Sequence, residues 1–259
     1  MTVTGQDTGQ DTGQDTDGAR MLQGLGDGSS SVRLRAALAV GTAPGPRYVE
    51  TLIERCAIEP EFFVRDMLTW ALTRHPVSMT LPALVRELRS ERAQARSQAL
   101  HTLSKIGDRQ AWPAITRTLL SDPDDEVARS AWRAAVVLVP EGEEPALAVA
   151  LATQLGRGGR ETQLSLSRAM VALGEVILPA LHAATTAPDP QAHAQAHAHP
   201  QPHAHAHPQA HAHAHPRAHV HAHALATERL LRDPDTGFEF AIEEAKRVVA
   251  LGGSGEEGR

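Results

Sequence analysis

The chain has 259 residues, of which 41% are apolar and 22% are charged, so it can form a buried core and is not a disordered polyelectrolyte. Aromatic residues make up only 3%, which disfavours an all-β fold because strands are usually rich in them. The net charge of −6 disfavours a general nucleic-acid binder, and the single cysteine, Cys56, excludes an internal disulfide. The sequence contains neither a secretory signal nor a run of 18 apolar residues. We therefore expect a cytoplasmic protein without membrane partners.

The N-terminal segment contains the tetrapeptide TGQD three times between Thr4 and Asp15. It is polar and rich in glycine, and it shows no apolar periodicity. Such a segment buries too little surface to offset the entropy lost on ordering. The sequence therefore predicts a disordered tail over residues 1–26.

Four similar helical segments follow, and their starts at Val32, Val64, Ala95 and Val127 lie 32, 31 and 32 residues apart. Counted from each start, positions 0, +4, +7 and +8 are small or apolar except at Thr102, which predicts one buried stripe along each helix. A fifth segment is predicted to start at Ser165. We call these segments the second helices of the repeats. A shorter first helix is predicted before each later one, near residues 48–57, 80–88, 111–120 and 145–155.

Two helices repeated every 32 residues cannot bury their apolar faces alone, so neighbouring units must stack. This predicts an all-α fold, a superhelical α-solenoid of five to six helix-turn-helix repeats. The first five repeats are assigned to residues 27–187 and a C-terminal repeat to residues 220–251. Residues 252–259 are expected to be a disordered tail.

Residues 188–219 form a low-complexity tract of His, Ala, Pro and Gln, and twelve of the fifteen histidines lie between His193 and His223. Its recurrent prolines exclude one long helix. Val220 lies 55 residues after Ser165, where a repeat of about 32 residues is expected. The tract is therefore predicted to be a disordered insertion at the turn between the two helices of the last repeat.

Histidines two or four residues apart can converge on a Zn, Ni or Cu ion. Asp189 is the only acidic residue in the tract, so carboxylates that could orient the ligating histidines are scarce. We expect no physiological metal site and no cofactor, only adventitious binding of divalent metal. Metal buffering by the tract stays open as an alternative function, with the candidate ligands His203, His205, His207, His211, His213 and His215.

Several local motifs resemble HEAT repeats, and more narrowly the short HEAT-like repeats of phycobilisome lyases. The motifs are the pairs Val32-Arg33, Val64-Arg65 and Ala95-Arg96, the turn Asp122-Pro123-Asp124 before Val127, and Ala172-Leu173-Gly174. The resemblance implies an α-solenoid in which such arginines bond to acidic residues of the turns. Ala128 departs from the pattern because it stands where a further arginine is expected.

Enzymes with similar repeats are poor matches on their functional residues. Deoxyhypusine hydroxylase holds iron with His-Glu pairs, and this sequence has no His-Glu dipeptide. HEAT-like DNA glycosylases need a basic groove, whereas residues 28–186 carry 18 basic and 17 acidic residues, a net charge of +1. The sequence thus predicts no enzyme and no nucleic-acid partner, with an accessory protein of the phycobilin-lyase type as a second alternative.

The predicted function is that of a scaffold that binds another protein, of unknown identity, on the concave face lined by the second helices. Position +6 of these helices holds Leu38, Trp70, His101 and Arg133, and Trp132 lies beside it at +5. Trp and Arg often anchor protein interfaces. We therefore predict a partner-binding strip of Trp70, His101, Trp132 and Arg133. The alternative is that both tryptophans fill gaps between neighbouring repeats.

Overall fold

The computed structural model describes residues 9–186 and 216–253, and every regular element in these ranges is helical. The chain divides into two units between Glu141 and Gly142. The first unit contains α1 (Gly9–Leu25), α2 (Ser30–Thr42), α3 (Val49–Cys56), α4 (Phe62–Thr73), α5 (Val77–Glu87), α6 (Ala93–Ile106), α7 (Arg117–Leu120) and α8 (Asp125–Leu138), with 3₁₀ turns at Pro46–Tyr48 and Arg109–Ala114. The second contains α9 (Glu144–Ala152), α10 (Arg160–Val171), α11 (Leu178–Thr186), α12 (Pro216–Arg232) and α13 (Phe238–Gly253), with a 3₁₀ turn at Gly174–Ile177.

In the first unit α2, α4, α6 and α8 are the second helices of successive repeats, and α2 packs on α4 as α6 packs on α8. The predicted stripe is buried in α4, α6 and α8, and in α4 it comprises Val64, Leu68, Ala71 and Leu72. The hydroxyl of Thr102, the polar exception, is also buried and donates to the carbonyl of Gln98 at 2.8 Å. The prediction of an all-α fold of the solenoid class is confirmed.

Arginines at position +1 hold the turn that precedes their helix. Arg33 and Arg96 each donate from Nη1 to two carbonyls of that turn, and Arg65 does the same. Arg33 also binds the Glu59 carboxylate, and Arg96 binds that of Asp122, each through two hydrogen bonds. Arg33 and Arg96 therefore join consecutive repeats, as the resemblance to HEAT repeats implies.

Pro113 interrupts a predicted first helix, whereas Pro82 does not. Pro113 lies in the 3₁₀ turn, and α7 begins only at Arg117, so the first helix predicted over residues 111–120 is split. A proline inside an α-helix removes one hydrogen bond and crowds the preceding turn. Pro82, in contrast, lies inside α5, which begins at Val77.

The predicted tail over residues 1–26 is wrong for Gly9–Leu25, which form α1. This helix packs on α2, and Leu25 is buried. The side chains of Met21 and Leu22 are partly buried. The polar TGQD repeats end at Asp15. The apolar residues after them lie in the part of α1 that packs on α2.

The connection between α11 and α12 contains 29 residues, whereas those between the paired helices of the earlier repeats contain four to seven. The insertion is predicted over residues 188–219, whereas α12 begins already at Pro216. The candidate metal ligands between His203 and His215 lie outside the described residues, as do residues 1–8 and 254–259.

Within the described residues no single helix is both long and apolar enough to cross a membrane. The consecutive segments Arg160–Val171 and Gly174–Thr186 reach that length and composition only as a pair, which is bent by 119°.

Candidate functional site: a groove on the second helices of the first unit

The exposed faces of α4, α6 and α8 enclose a groove of about 430 Å³. Its lining combines one aromatic ring with hydroxyl, amide and charged side chains. The lining residues are Phe62, Arg65 and Asp66 of α4, Ser97, Gln98, His101, Ser104 and Lys105 of α6, and Glu126, Ser130 and Arg133 of α8.

Small side chains line the groove between α6 and α8. The hydroxyls of Ser97 and Ser130 are buried and lie 3.0 Å apart in a hydrogen bond. Ser97 also approaches the carbonyl of Glu126 at 3.4 Å. Two serines at this contact let the helices approach closely and leave space above them for a ligand.

One end of the groove is basic, and we call His101, Lys105 and Arg133 its basic end. Arg133 donates from Nη2 to the Ser130 hydroxyl at 3.0 Å. Within the described residues neither Lys105 nor Arg133 forms an ion pair. Two cations are thus available to an anionic group.

His101 is neutral at pH 7. Burial lowers the pKa of its imidazole, and the charges of Lys105 and Arg133 lower it further, while the Asp66 carboxylate opposes them. Burial also lowers the pKa of the Arg133 guanidinium, with a further contribution from Arg129. A guanidinium remains charged at neutral pH all the same, so the neutral imidazole can donate a hydrogen bond beside two fixed positive charges.

The other end of the groove presents the ring of Phe62, which is 72% exposed. The Arg65 guanidinium lies 5.9 Å from the centre of this ring. Arg65 is fixed by its bonds to the carbonyls of Glu59 and Pro60. The groove therefore runs from an aromatic end to a basic end.

The structure brings together two of the four residues predicted for the binding strip, His101 and Arg133. Trp70 is 37% exposed but does not line the groove. Its ring packs on α2 at Gly41, where an added Cβ would lie only 2.2 Å from the Cζ3 atom of Trp70. Trp70 therefore combines an exposed edge with a role in packing.

Trp132 does not belong to a surface strip, and its assignment there is wrong. Its side chain is fully buried, and its Nε1 donates to the carbonyl of Leu120 at 2.8 Å. Position +5 faces the preceding first helix, because one residue turns the chain by about 100° around a helix axis. Trp132 thus fills the core of its repeat.

Sequence reasoning missed Phe62 and Lys105. Lys105 lies four residues after His101, so the i, i+4 spacing that places two residues on one helix face could have found it. Phe62 lies at the start of α4, two residues before the stripe begins at Val64, and its exposure is not encoded in the apolar pattern.

Outside the groove, the thiol of Cys56 is buried in the core. Burial raises the pKa of the Cys56 thiol to about 12, so it stays protonated. In the described part of the chain no group of three or more His, Cys, Asp or Glu residues is placed to hold a metal ion.

The second unit contains a buried Ser–His contact, between Ser167 Oγ and His223 Nε2 at 3.0 Å. His223 Nδ1 accepts from the backbone N–H of Gly156, so its Nε2 carries the proton, and this nitrogen lies 3.0 Å from the Gln163 carbonyl. Burial lowers the pKa of His223 to about 4. Its protonated Nε2 cannot accept a proton from Ser167, so the pair holds α10 and α12 together rather than activating a nucleophile.

Comparison with known proteins agrees with the repeat architecture. Residues 59–136, which include the helices that line the groove, match the family model of HEAT repeats. A comparison with curated proteins gave no match. The matched segment, the 32-residue periodicity and the arginine–carboxylate contacts between repeats together show that residues 59–136 form HEAT repeats.

Proposed function

We propose that the protein is a non-catalytic scaffold and that a partner protein binds in the groove formed by α4, α6 and α8. The groove itself carries this proposal, because it places an exposed aromatic ring, hydrogen-bonding side chains and unpaired cations along one concavity. Interfaces are usually anchored by a few aromatic and arginine side chains surrounded by polar contacts.

Exposed apolar side chains continue the surface beside the groove. Phe63, Trp70 and Leu38 are 46%, 37% and 47% exposed. Leu38 and Trp70 occupy position +6 of α2 and α4, the position that holds His101 and Arg133 in α6 and α8. Exposed apolar groups next to a polar groove are typical of binding surfaces, and this row supports the second-helix face as the interface.

A photo-crosslinking experiment tests the proposal. The photoreactive amino acid p-benzoylphenylalanine replaces Phe62 in the groove or, as a matched control, Met79 on the first helix α5, which is 41% exposed. After irradiation in the producing cells, we expect covalent protein adducts from position 62 and few from position 79.

A second arm uses alanine variants on the Phe62 crosslinker background. The double variant His101→Ala/Arg133→Ala should lose the adducts. The control Glu50→Ala/Arg86→Ala removes an exposed ion pair between α3 and α5, joined at 2.6 Å, and should keep them. Adducts that form equally at both crosslinker positions, or that survive the groove variant, would move the interface away from these second helices.

A further inference from the structure

The polarity of position +6 on the second helices changes from one repeat to the next. Position +6 is apolar and exposed in α2 and α4, at Leu38 and Trp70, and polar in α6 and α8, at His101 and Arg133. We call these four residues the +6 row. A ligand that crosses successive helices along this row meets an apolar half and then the basic end of the groove.

The charges of the groove are separated along the helices. The carboxylates Asp66 and Glu126 lie one and two helical turns before position +6 of their helices, whereas Lys105 lies one turn after it. The lining contains three cations and two carboxylates, a net charge of +1 with His101 neutral. This balance matches a single carboxylate at the basic end, and it disfavours a polyanion such as a nucleic acid, which requires a broad positive surface.

We infer that the +6 row binds an extended acidic segment of the partner protein, with an apolar side chain on Leu38 and Trp70 beside the groove and a carboxylate between Lys105 and Arg133 within it. This inference rests on the proposed function. The carboxylate would pair with the two cations and accept a hydrogen bond from His101. Charge-assisted bonds of this kind are stronger than bonds between neutral groups.

The distance between neighbouring second helices determines how many residues separate the apolar and the acidic side chain of the ligand. Packed helices lie roughly 8–10 Å apart, and an extended peptide advances about 3.3 Å per residue. An acidic residue that reaches His101 therefore lies about three residues from the apolar residue on Trp70. One that reaches Arg133 lies about six residues away.

The test is a selection from a library of random dodecapeptides displayed on phage, with the full-length protein as target. We expect the enriched peptides to carry an Asp or Glu three to six residues from a large apolar residue. A synthetic copy of the most enriched peptide is then titrated against the protein, beside a copy in which Asp and Glu are replaced by Asn and Gln. We expect at least a tenfold loss of affinity for the amide copy.

Charge reversal then locates the site. Lys105→Glu and Arg133→Glu should each weaken binding of the selected peptide at least tenfold, whereas Arg109→Glu, an exposed control in the 3₁₀ turn, should leave it unchanged. Circular dichroism checks that each variant is folded, and Lys105→Gln and Arg133→Gln replace any that is not.

The outcomes separate the inference from the proposed function. Neutral peptides that crosslink to position 62 and ignore charge reversal would overturn the acidic ligand and leave the groove as the interface. Enrichment of no peptide, or of peptides that crosslink only at position 79, would overturn both. Displacement of the peptide by inorganic phosphate, beyond that by chloride at equal ionic strength, would replace the carboxylate with a phosphate ligand and overturn the inference.

Discussion

The buried carboxylate of Glu59, in the turn between α3 and α4, is the sharpest test of how the first repeats are joined. Its side chain is fully buried. It accepts hydrogen bonds from Arg33 Nε and Nη2, both at 2.7 Å, from Arg55 Nε at 2.8 Å and from the N–H of Glu61 at 3.0 Å. Burial alone would raise the pKa of Glu59, but these bonds and the Arg55 charge lower it to about 2.

The variant Glu59→Gln should destabilise the protein by about 3–5 kcal/mol at pH 7, because it leaves the Arg33 guanidinium buried without its counterion. Proton linkage gives a similar magnitude. A fall from the ordinary pKa of 4.5 to about 2 corresponds to about 3.4 kcal/mol of stability. This stability is fully present above pH 4.5 and is lost as the pH falls through 2. About 1.4 kcal/mol of it remains at pH 3.

Glutamine mimics the protonated carboxyl and cannot titrate. The difference in unfolding free energy between wild type and variant should therefore shrink by about 2 kcal/mol between pH 7 and pH 3. Urea denaturation followed by circular dichroism measures this difference. Glu54→Gln, an exposed change on α3, is the control and should cost less than about 0.5 kcal/mol. A Glu59→Gln deficit below about 1 kcal/mol, or one that does not change with pH, would refute the buried ion pair.

Three further predictions concern packing and the second unit. Trp132→Ala should lower the unfolding free energy by about 3–5 kcal/mol, more than Trp70→Ala, because Trp132 is fully buried; equal losses in denaturant titrations would contradict this. The free energy of unfolding of the wild type should fall by about 3 kcal/mol between pH 6.5 and pH 4. Burial lowers the pKa of His223 to about 4, so the folded state is stabilised only while this imidazole is neutral. His223→Leu should remove that part of the pH dependence, and exposed His182→Leu should not. Deleting residues 192–215 should shift the melting temperature by under about 4 °C; a larger fall would mean that the segment packs on the repeats.

The apolar period was sufficient to predict the second helices of the first unit. In each of α4, α6 and α8 the helix begins two residues before the predicted stripe and buries all four of its positions. The prediction holds there because the stripe consists mainly of Val, Leu and Ala, whose burial decides the helix face.

The period is misleading in α10, where the predicted start at Ser165 is three residues too late. The helix begins at Arg160, and the stripe counted from Thr162 continues at Leu166, Ala169 and Met170, all buried. Thr162, Ser165 and Ser167 are buried too. Small hydroxylated side chains carry no apolar signal, so the true start of the stripe could not be found from hydrophobicity.

Hydrophobicity does not reveal the buried His223 either, because it is the last of the twelve histidines that begin at His193. His219 of α12 is exposed, but positions +3, +4, +5, +7 and +8 counted from it are buried, as they are in α10 counted from Thr162. His223 takes the place that Leu166 holds in α10. The imidazole is tolerated in the core because Gly156, Gln163 and Ser167 satisfy both of its nitrogens. These partners lie at least 56 residues away in the chain, so no local pattern predicts them.

The contrast between Trp132 and Arg133 explains why the fold was easier to predict than the site. Two adjacent residues supply a fully buried ring that bonds to Leu120 and a guanidinium that lines the groove. Positions 0, +4, +7 and +8 of α4, α6 and α8 are buried and, apart from Thr102, small or apolar, so their pattern recurs. Position +6 lies outside this stripe and is exposed or half-buried, and it holds Leu, Trp, His and Arg in four successive repeats. A position outside the buried stripe can vary with the partner, and the row that we propose to bind the partner is the one in which the repeats differ from one another.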